Sequence, residues 1–254
     1  MLRAPADARS AHGANGLGGA ALPEPPPDEG ATHAVDVILA QARATKRELT
    51  LVATGPLTNV AAALMREPDL PRLLHRLVLM GGAYREAGNV TPAAEFNIWH
   101  DPEAAQVVFR AFAAEEAAPL VAVGLDVTRK TPLVPADLAE LARRCAGLPG
   151  APALLGFLDD AARHQFDRME RSSGARVLLM HDPLAVAAAI DPSLIATQKV
   201  AVEVETAGAL TRGMTVADWS GVWKRAPNAH VAIAVEATRF RAAFLDAMER
   251  LARG

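Results

Sequence analysis

Leu49-Thr50-Leu51-Val52-Ala53-Thr54-Gly55-Pro56-Leu57-Thr58-Asn59 decides the fold class. Residues 49–53 have the length and apolar character of a buried strand, Gly55-Pro56 turns the chain, and 57–64 continue as a helix. Working backwards, Val35, Val37, Ile38 and Ala42 recur at helical spacing over 34–44. Working forwards, Leu77-Val78-Leu79-Met80 reads as a second strand closed by Gly81-Gly82. Asp101-Pro102-Glu103 opens a helix to about residue 114, with Asp as cap and Pro at the first helical position. A third strand covers 120–123, and helices cover 135–145 and 151–170. Asp182-Pro183 opens a further helix to Ile190. Residues 200–204 and 231–235 read as strands, and 237–251 as a closing helix. Strands alternating with helices predict an α/β fold, an open and mainly parallel sheet flanked by helices. Ligands of such sheets sit beyond the carboxyl ends of the strands. Thr54, Gly81-Gly82 and the turn after Val123 should share that rim, with His181-Asp182 near it.

Composition narrows the class further. The chain has 254 residues, 51% hydrophobic and 22% charged, with a net charge of −3. That size allows one large domain, and the charge excludes a general nucleic-acid binder. The one cysteine, Cys145, forms no internal disulfide, so a reducing, cytoplasmic setting is the default. No apolar run reaches the roughly 18–20 residues of a membrane span, and Met1–Ala6 lacks the apolar core of a signal peptide. Residues 1–30 are rich in Ala, Gly and Pro and end in Leu22-Pro23-Glu24-Pro25-Pro26-Pro27. Proline lacks the N–H that helices and inner strands need. The first thirty residues are therefore expected as a mobile loop or disordered arm, and 31–254 as one α/β domain.

Eight segments, taken in order, resemble the inosine–uridine-preferring nucleoside hydrolase family. They are His12-Gly13-Ala14-Asn15-Gly16-Leu17-Gly18-Gly19, Ala53–Asn59, Leu79–Ala83, Gly88-Asn89, Ala94-Glu95-Phe96-Asn97 running into Asp101–Ala105, Val123–Thr128, His181–Ala185, and Thr211–Asp218. The resemblance implies the nucleoside hydrolase fold and cleavage of the N-glycosidic bond of ribonucleosides by water, assisted by bound Ca2+. Such cleavage passes through an electron-poor, oxocarbenium-like sugar, so water must lose a proton and the departing base gains one. The resemblance further implies that the Thr54 carbonyl and the Asp182 carboxylate are Ca2+ ligands. His181 would be the general acid facing the base. Asn89, Glu95 and Asn97 would hydrogen-bond the ribose, and Met80 would pack near the sugar. His12 would touch substrate from a loop at the site's mouth. Family members are commonly homodimers or homotetramers.

Read one at a time, these residues have plainer roles. Asp182 before Pro183 is a good helix cap, favoured roughly three to one over a ligand on local grounds alone. His181 fits a partly buried, hydrogen-bonded histidine, and Glu95 and Asn97 fit a polar surface stretch. Met80 fits core, Thr54 turn chemistry, and Gly81-Gly82 a tight turn. Asp159-Asp160 reads as a solvated helix face. Ordered co-occurrence favours the functional roles.

One family element has no counterpart. The family opens with a strand running into an Asp-x-Asp-x-x-x-Asp-Asp loop that supplies Ca2+ ligands, a ribose contact and the general base. The acids among residues 1–30 are Asp7, Glu24, Asp28 and Glu29, without that spacing. The expectation is a sheet with its first strand missing, an incomplete calcium site and weak or no activity. An incomplete gene product or a late-assigned start fits this better than an evolved short enzyme. The rival is a non-catalytic ribose- or partner-binding remnant.

Overall fold

The computed structural model describes residues 9, 13–22, 32–45, 47–114 and 116–254. They fall into two units. The first takes in residues 30–129 and 181–236; the second takes in 6–29, 130–180 and 237–254.

The first unit holds a five-stranded sheet. Its strands are β1 (Thr50–Ala53), β2 (Arg76–Met80), β3 (Leu120–Val123), β6 (Ile195–Val200) and β9 (Ala229–Val235), in the order β1-β2-β3-β9-β6. β1, β2, β3 and β9 are parallel, and β6 returns antiparallel to β9. Leu77 and Leu79 of β2 point into a core with Leu120, Ala122 and Val231. Helices α1 (Ala34–Ala44), α2 (Thr58–Arg66) and α5 (Pro102–Ala111) close that core with Val35, Leu39, Val60, Leu64, Val108 and Phe109. Successive side chains of a strand point to opposite faces, so Val78 and Met80 serve the other layer. There α9 (His181–Ile190) packs on β1 and β2, burying Leu184, Ala185 and Ala188. The short α3 (Leu70–Leu73), α4 (Phe96–His100) and α6 (Leu125–Thr128) complete the turns between strands.

The second unit consists of α7 (Pro135–Arg144), α8 (Ala151–Ser173), α10 (Ala237–Arg253) and the two-residue pair β4 (Pro132–Leu133) and β5 (Leu178–Leu179). Leu141, Cys145, Ala151, Leu245 and Ala252 form its core. Residues 13–22 belong here as a turn built on Asn15, whose Oδ1 accepts from Leu17 N and Gly19 N at 3.0 Å and whose Nδ2 donates to Ala20 O. The rest of the expected arm, and His12, lie outside the described residues apart from Arg9. No helix among the described residues is long and apolar enough to cross a membrane.

Three expectations change. The single strand expected at 200–204 is two: β6 ends at Val200, and β7 (Val202–Val204) pairs with β8 (Thr215–Ala217) in a separate sheet. Thr197, Gln198 and Lys199 hide β6 from an apolar reading, since it faces solvent on one side. The strand at 50–53 is half-buried rather than buried, because its one partner among the described residues is β2. The helix from Pro102 stops at Ala111, before residue 114.

Candidate active site

The carboxyl ends of β1 and β2 are joined by one side chain. Asn97 Nδ2 donates to the Met80 carbonyl at 3.0 Å and contacts Met80 Sδ at 3.3 Å, and it approaches the Thr54 carbonyl at 3.5 Å. Both amide hydrogens are thus directed at the strand ends, which leaves the Oδ1 lone pairs for a hydroxyl donor.

Glu95 sits at the head of α4 and is buried at 2% exposure, which removes the surface reading. Its carboxylate accepts from Asn97 N at 2.9 Å, Ile98 N at 3.1 Å and Gly82 N at 3.1 Å. It caps the short helix and fastens it to the Gly81-Gly82 turn in one stroke. Burial foremost raises its pKa above the ordinary carboxylate value; the three backbone N–H groups pull it down, and the charge of Asp182 pushes it up again. Asp182 is therefore within electrostatic reach of Glu95. It lies in the first turn of α9, which begins at His181, so it is not at the cap position that a local reading favoured.

Asn89 stands in a loop where Gly88 N donates to Pro92 O, and Asn89 N to Ala94 O. A Cβ on Gly88 would lie 2.2 Å from the carbonyl oxygens of Ala94 and Thr91, so only glycine fits. Asn89 Oδ1 accepts from Phe96 N at 2.9 Å, which ties this loop to the first residue of α4. His181 is half-buried, and its Nδ1 lies 2.7 Å from Thr128 Oγ1. Met80 is buried at 3% exposure, as a core reading requires, yet its sulfur and carbonyl both meet Asn97.

Several supporting residues carried no role in the sequence reading. Asp126 is buried and accepts from Tyr84 N at 3.0 Å and Arg85 N at 2.8 Å, holding the segment after Gly82 against α6. Gly82 turns with φ at +89°, and a Cβ there would overlap the Tyr84 ring at 2.7 Å. Thr215 Oγ1 accepts from Ala83 N and donates to Ala83 O. Arg212 Nη2 reaches both oxygens of Glu103 at 2.7 and 2.8 Å. The segment 211–218 is thus a frame behind the loop. The signal for Asp126 was an acid directly after a strand end; Thr215 has no comparable local signal.

Among the described residues no group of three or more His, Cys, Asp or Glu side chains gathers to hold a metal ion. Calcium takes six to eight oxygen ligands. The Thr54 carbonyl and the Asp182 carboxylate are two groups, so the described residues do not by themselves make a calcium site.

The sequence pattern of the family described as inosine-uridine preferring nucleoside hydrolase matches residues 1–242. Pyrimidine-specific ribonucleoside hydrolase RihA of Citrobacter koseri is 39% identical over 246 residues, 96% of this chain and 74% of its own length. Its counterpart in an Enterobacter species is also 39% identical, over 97% of this chain and 74% of its own. Among solved structures, a purine-preferring ribonucleoside hydrolase from Gardnerella vaginalis superposes with a TM-score of 0.84 at 33% identity, covering 96% of this chain and 74% of that one. The plant nucleoside hydrolase PpNRh1 gives 0.82 at 30% identity, over 96% and 75%.

Proposed function

This chain belongs to the inosine–uridine preferring nucleoside hydrolase family, and on that premise we propose that the rim of β1 and β2 is its ribonucleoside site. The observation that carries the proposal is Asn97 tying Thr54 to Met80 beside the buried Glu95. In this reading Asn89, Glu95 and Asn97 hold the ribose hydroxyls and Met80 packs under the sugar. His12, outside the described residues, is the remaining candidate for a substrate contact. His181, as an imidazolium, gives a proton to the base as the C–N bond breaks. The Thr54 carbonyl and the Asp182 carboxylate would be two of the groups to hold the Ca2+ that family resemblance implies, and no described residue is assigned to activate water. Homodimers or homotetramers and a cytoplasmic setting complete the reading. Its relatives are named for pyrimidine specificity in two cases and for purine preference in another, so both base classes belong in the test.

The 254-residue chain on its own should then cleave slowly. No described residue is assigned as the base, and want of a positioned base alone costs on the order of 10²–10⁴ in rate. Inosine and uridine are incubated with the chain, with the Citrobacter koseri relative as standard, and free base and ribose are measured. Slow cleavage that needs both His181 and Asp182 is the expected result. Cleavage unchanged in His181→Ala and Asp182→Asn would overturn the site assignment. Ribose binding without any cleavage would favour the non-catalytic remnant. Calcium binding, followed by calorimetry, should be no tighter than about the mM range.

A further inference from the structure

We propose that Thr128 is a positioning residue for His181, with its hydroxyl fixing both the rotamer and the tautomer of the ring. The inference rests on the reading of His181 as the group that serves the departing base.

Thr128 ends α6, directly beyond the carboxyl end of β3, and is fully buried at 0% exposure. Its backbone N–H donates to Gly124 O at 3.1 Å, so the residue is anchored to the strand end rather than to a free loop. Threonine is branched at Cβ and therefore stiff at χ1, and its Oγ1 reaches His181 Nδ1 at 2.7 Å. α6 and α9 also pack against each other, which holds the two side chains in register. The contact thus joins two elements separated in sequence by the whole second-unit insertion, residues 130–180.

A neutral imidazole has one N–H donor and one bare acceptor, and the partner of one nitrogen sets the state of the other. A threonine hydroxyl can donate to a bare Nδ1 or accept from Nδ1–H; in the proposed direction it donates, and the ring proton is on Nε2, on the far side from Thr128. In that resting state Nε2–H faces the base as a hydrogen-bond donor; to give a proton up, the ring first takes a second proton on Nδ1, the hydroxyl turns to accept from it, and loss of the Nε2 proton leaves a neutral ring. Without the hydroxyl nothing at this contact distinguishes the two tautomers.

Nitrogen-15 spectra of the imidazoles at a pH where the rings are neutral read this directly. His181→Gln identifies the His181 resonances. The unsubstituted chain should show Nε2 protonated and Nδ1 bare. Thr128→Val, which keeps the shape and removes the hydroxyl, should move the ring toward a mixture of tautomers, and Thr128→Ser should restore the original pattern. Nδ1 protonated in the unsubstituted chain would overturn the proposal, and so would an unchanged pattern in Thr128→Val. The first of these needs no Thr128 variant to fold. In turnover, Thr128→Val should lower kcat on the order of tenfold with KM little changed, and Thr128→Ser should recover most of it. The two ideas fail separately. Turnover indifferent to His181→Gln removes the base-serving role of His181, whereas the spectra alone decide whether Thr128 sets the ring.

Discussion

Glu95 shows how one buried carboxylate can organise a site and record pH at the same time. Its pKa is raised from the ordinary value of 4.5, chiefly by burial. The folded state therefore holds this proton more tightly than the unfolded chain does. Its contribution to stability is complete below the ordinary pKa and is lost as pH rises through the folded value. Compared with Glu95→Gln, the unsubstituted protein should lose urea resistance as pH climbs from about 4.5 towards neutrality; a pH-independent difference between the two would refute this. Residue roles were unevenly legible. Glu95, Asn97 and Asp182 could be named from ordered segments, but not the three N–H groups around Glu95. Those come from a five-residue helix, Phe96–His100, too short to show a period, and from a turn thirteen residues earlier. Thr128 escaped notice because its partner lies across an insertion.

At the level of elements, the Asp101-Pro102 opening and the apolar strands at 76–80 and 120–123 are plain in the sequence, because caps and continuous burial are local, whereas the helix at Asp182-Pro183 begins one residue earlier, at His181. The division between β6 and β7 was not plain, because it depends on which sheet each side of Ala201 joins. Asp101 is a cap with a second duty. It accepts from Ala104 N at the head of α5 and from Thr58 Oγ1 at 2.6 Å on α2, and it is buried at 1% exposure. Asp101→Ala should destabilise the protein by roughly 2–4 kcal/mol, combining a lost cap with a lost charged hydrogen bond. Asp101→Asn should cost about half as much. Chemical denaturation measures both, and a loss under about 0.5 kcal/mol for the alanine would show the two helices to be joined by packing alone. Gly88→Ala tests the neighbouring loop. The two carbonyls that crowd a Cβ must move, carrying Asn89 with them. Nucleoside binding should weaken on the order of tenfold, while the melting temperature of the variant shows whether the fold survives.

The whole molecule has an apolar margin beside its site. β1 is half-buried with β2 as its partner, and α9, which packs on both strands, leaves Val186 and Ile190 exposed at 42% and 80%. A strand edge without a partner among the described residues, next to exposed aliphatic side chains, favours association. The 254-residue chain should self-associate with rising concentration in sedimentation or light scattering, and Ile190→Glu should reduce it without loss of stability, since that side chain buries little. Association that ignores Ile190→Glu would place the contact elsewhere. The order of the sheet has a different consequence, one of time. β9 fills the position between β3 and β6, and Val121 pairs with His230. A ribosome delivers β1, β2 and β3 in the order in which they pair, then about a hundred further residues before β9 emerges, a wait of about 5–20 s. Throughout that wait the nascent chain carries a bare flank on β3, so its safe passage depends on how quickly translation proceeds and on what escorts the chain as it leaves the tunnel.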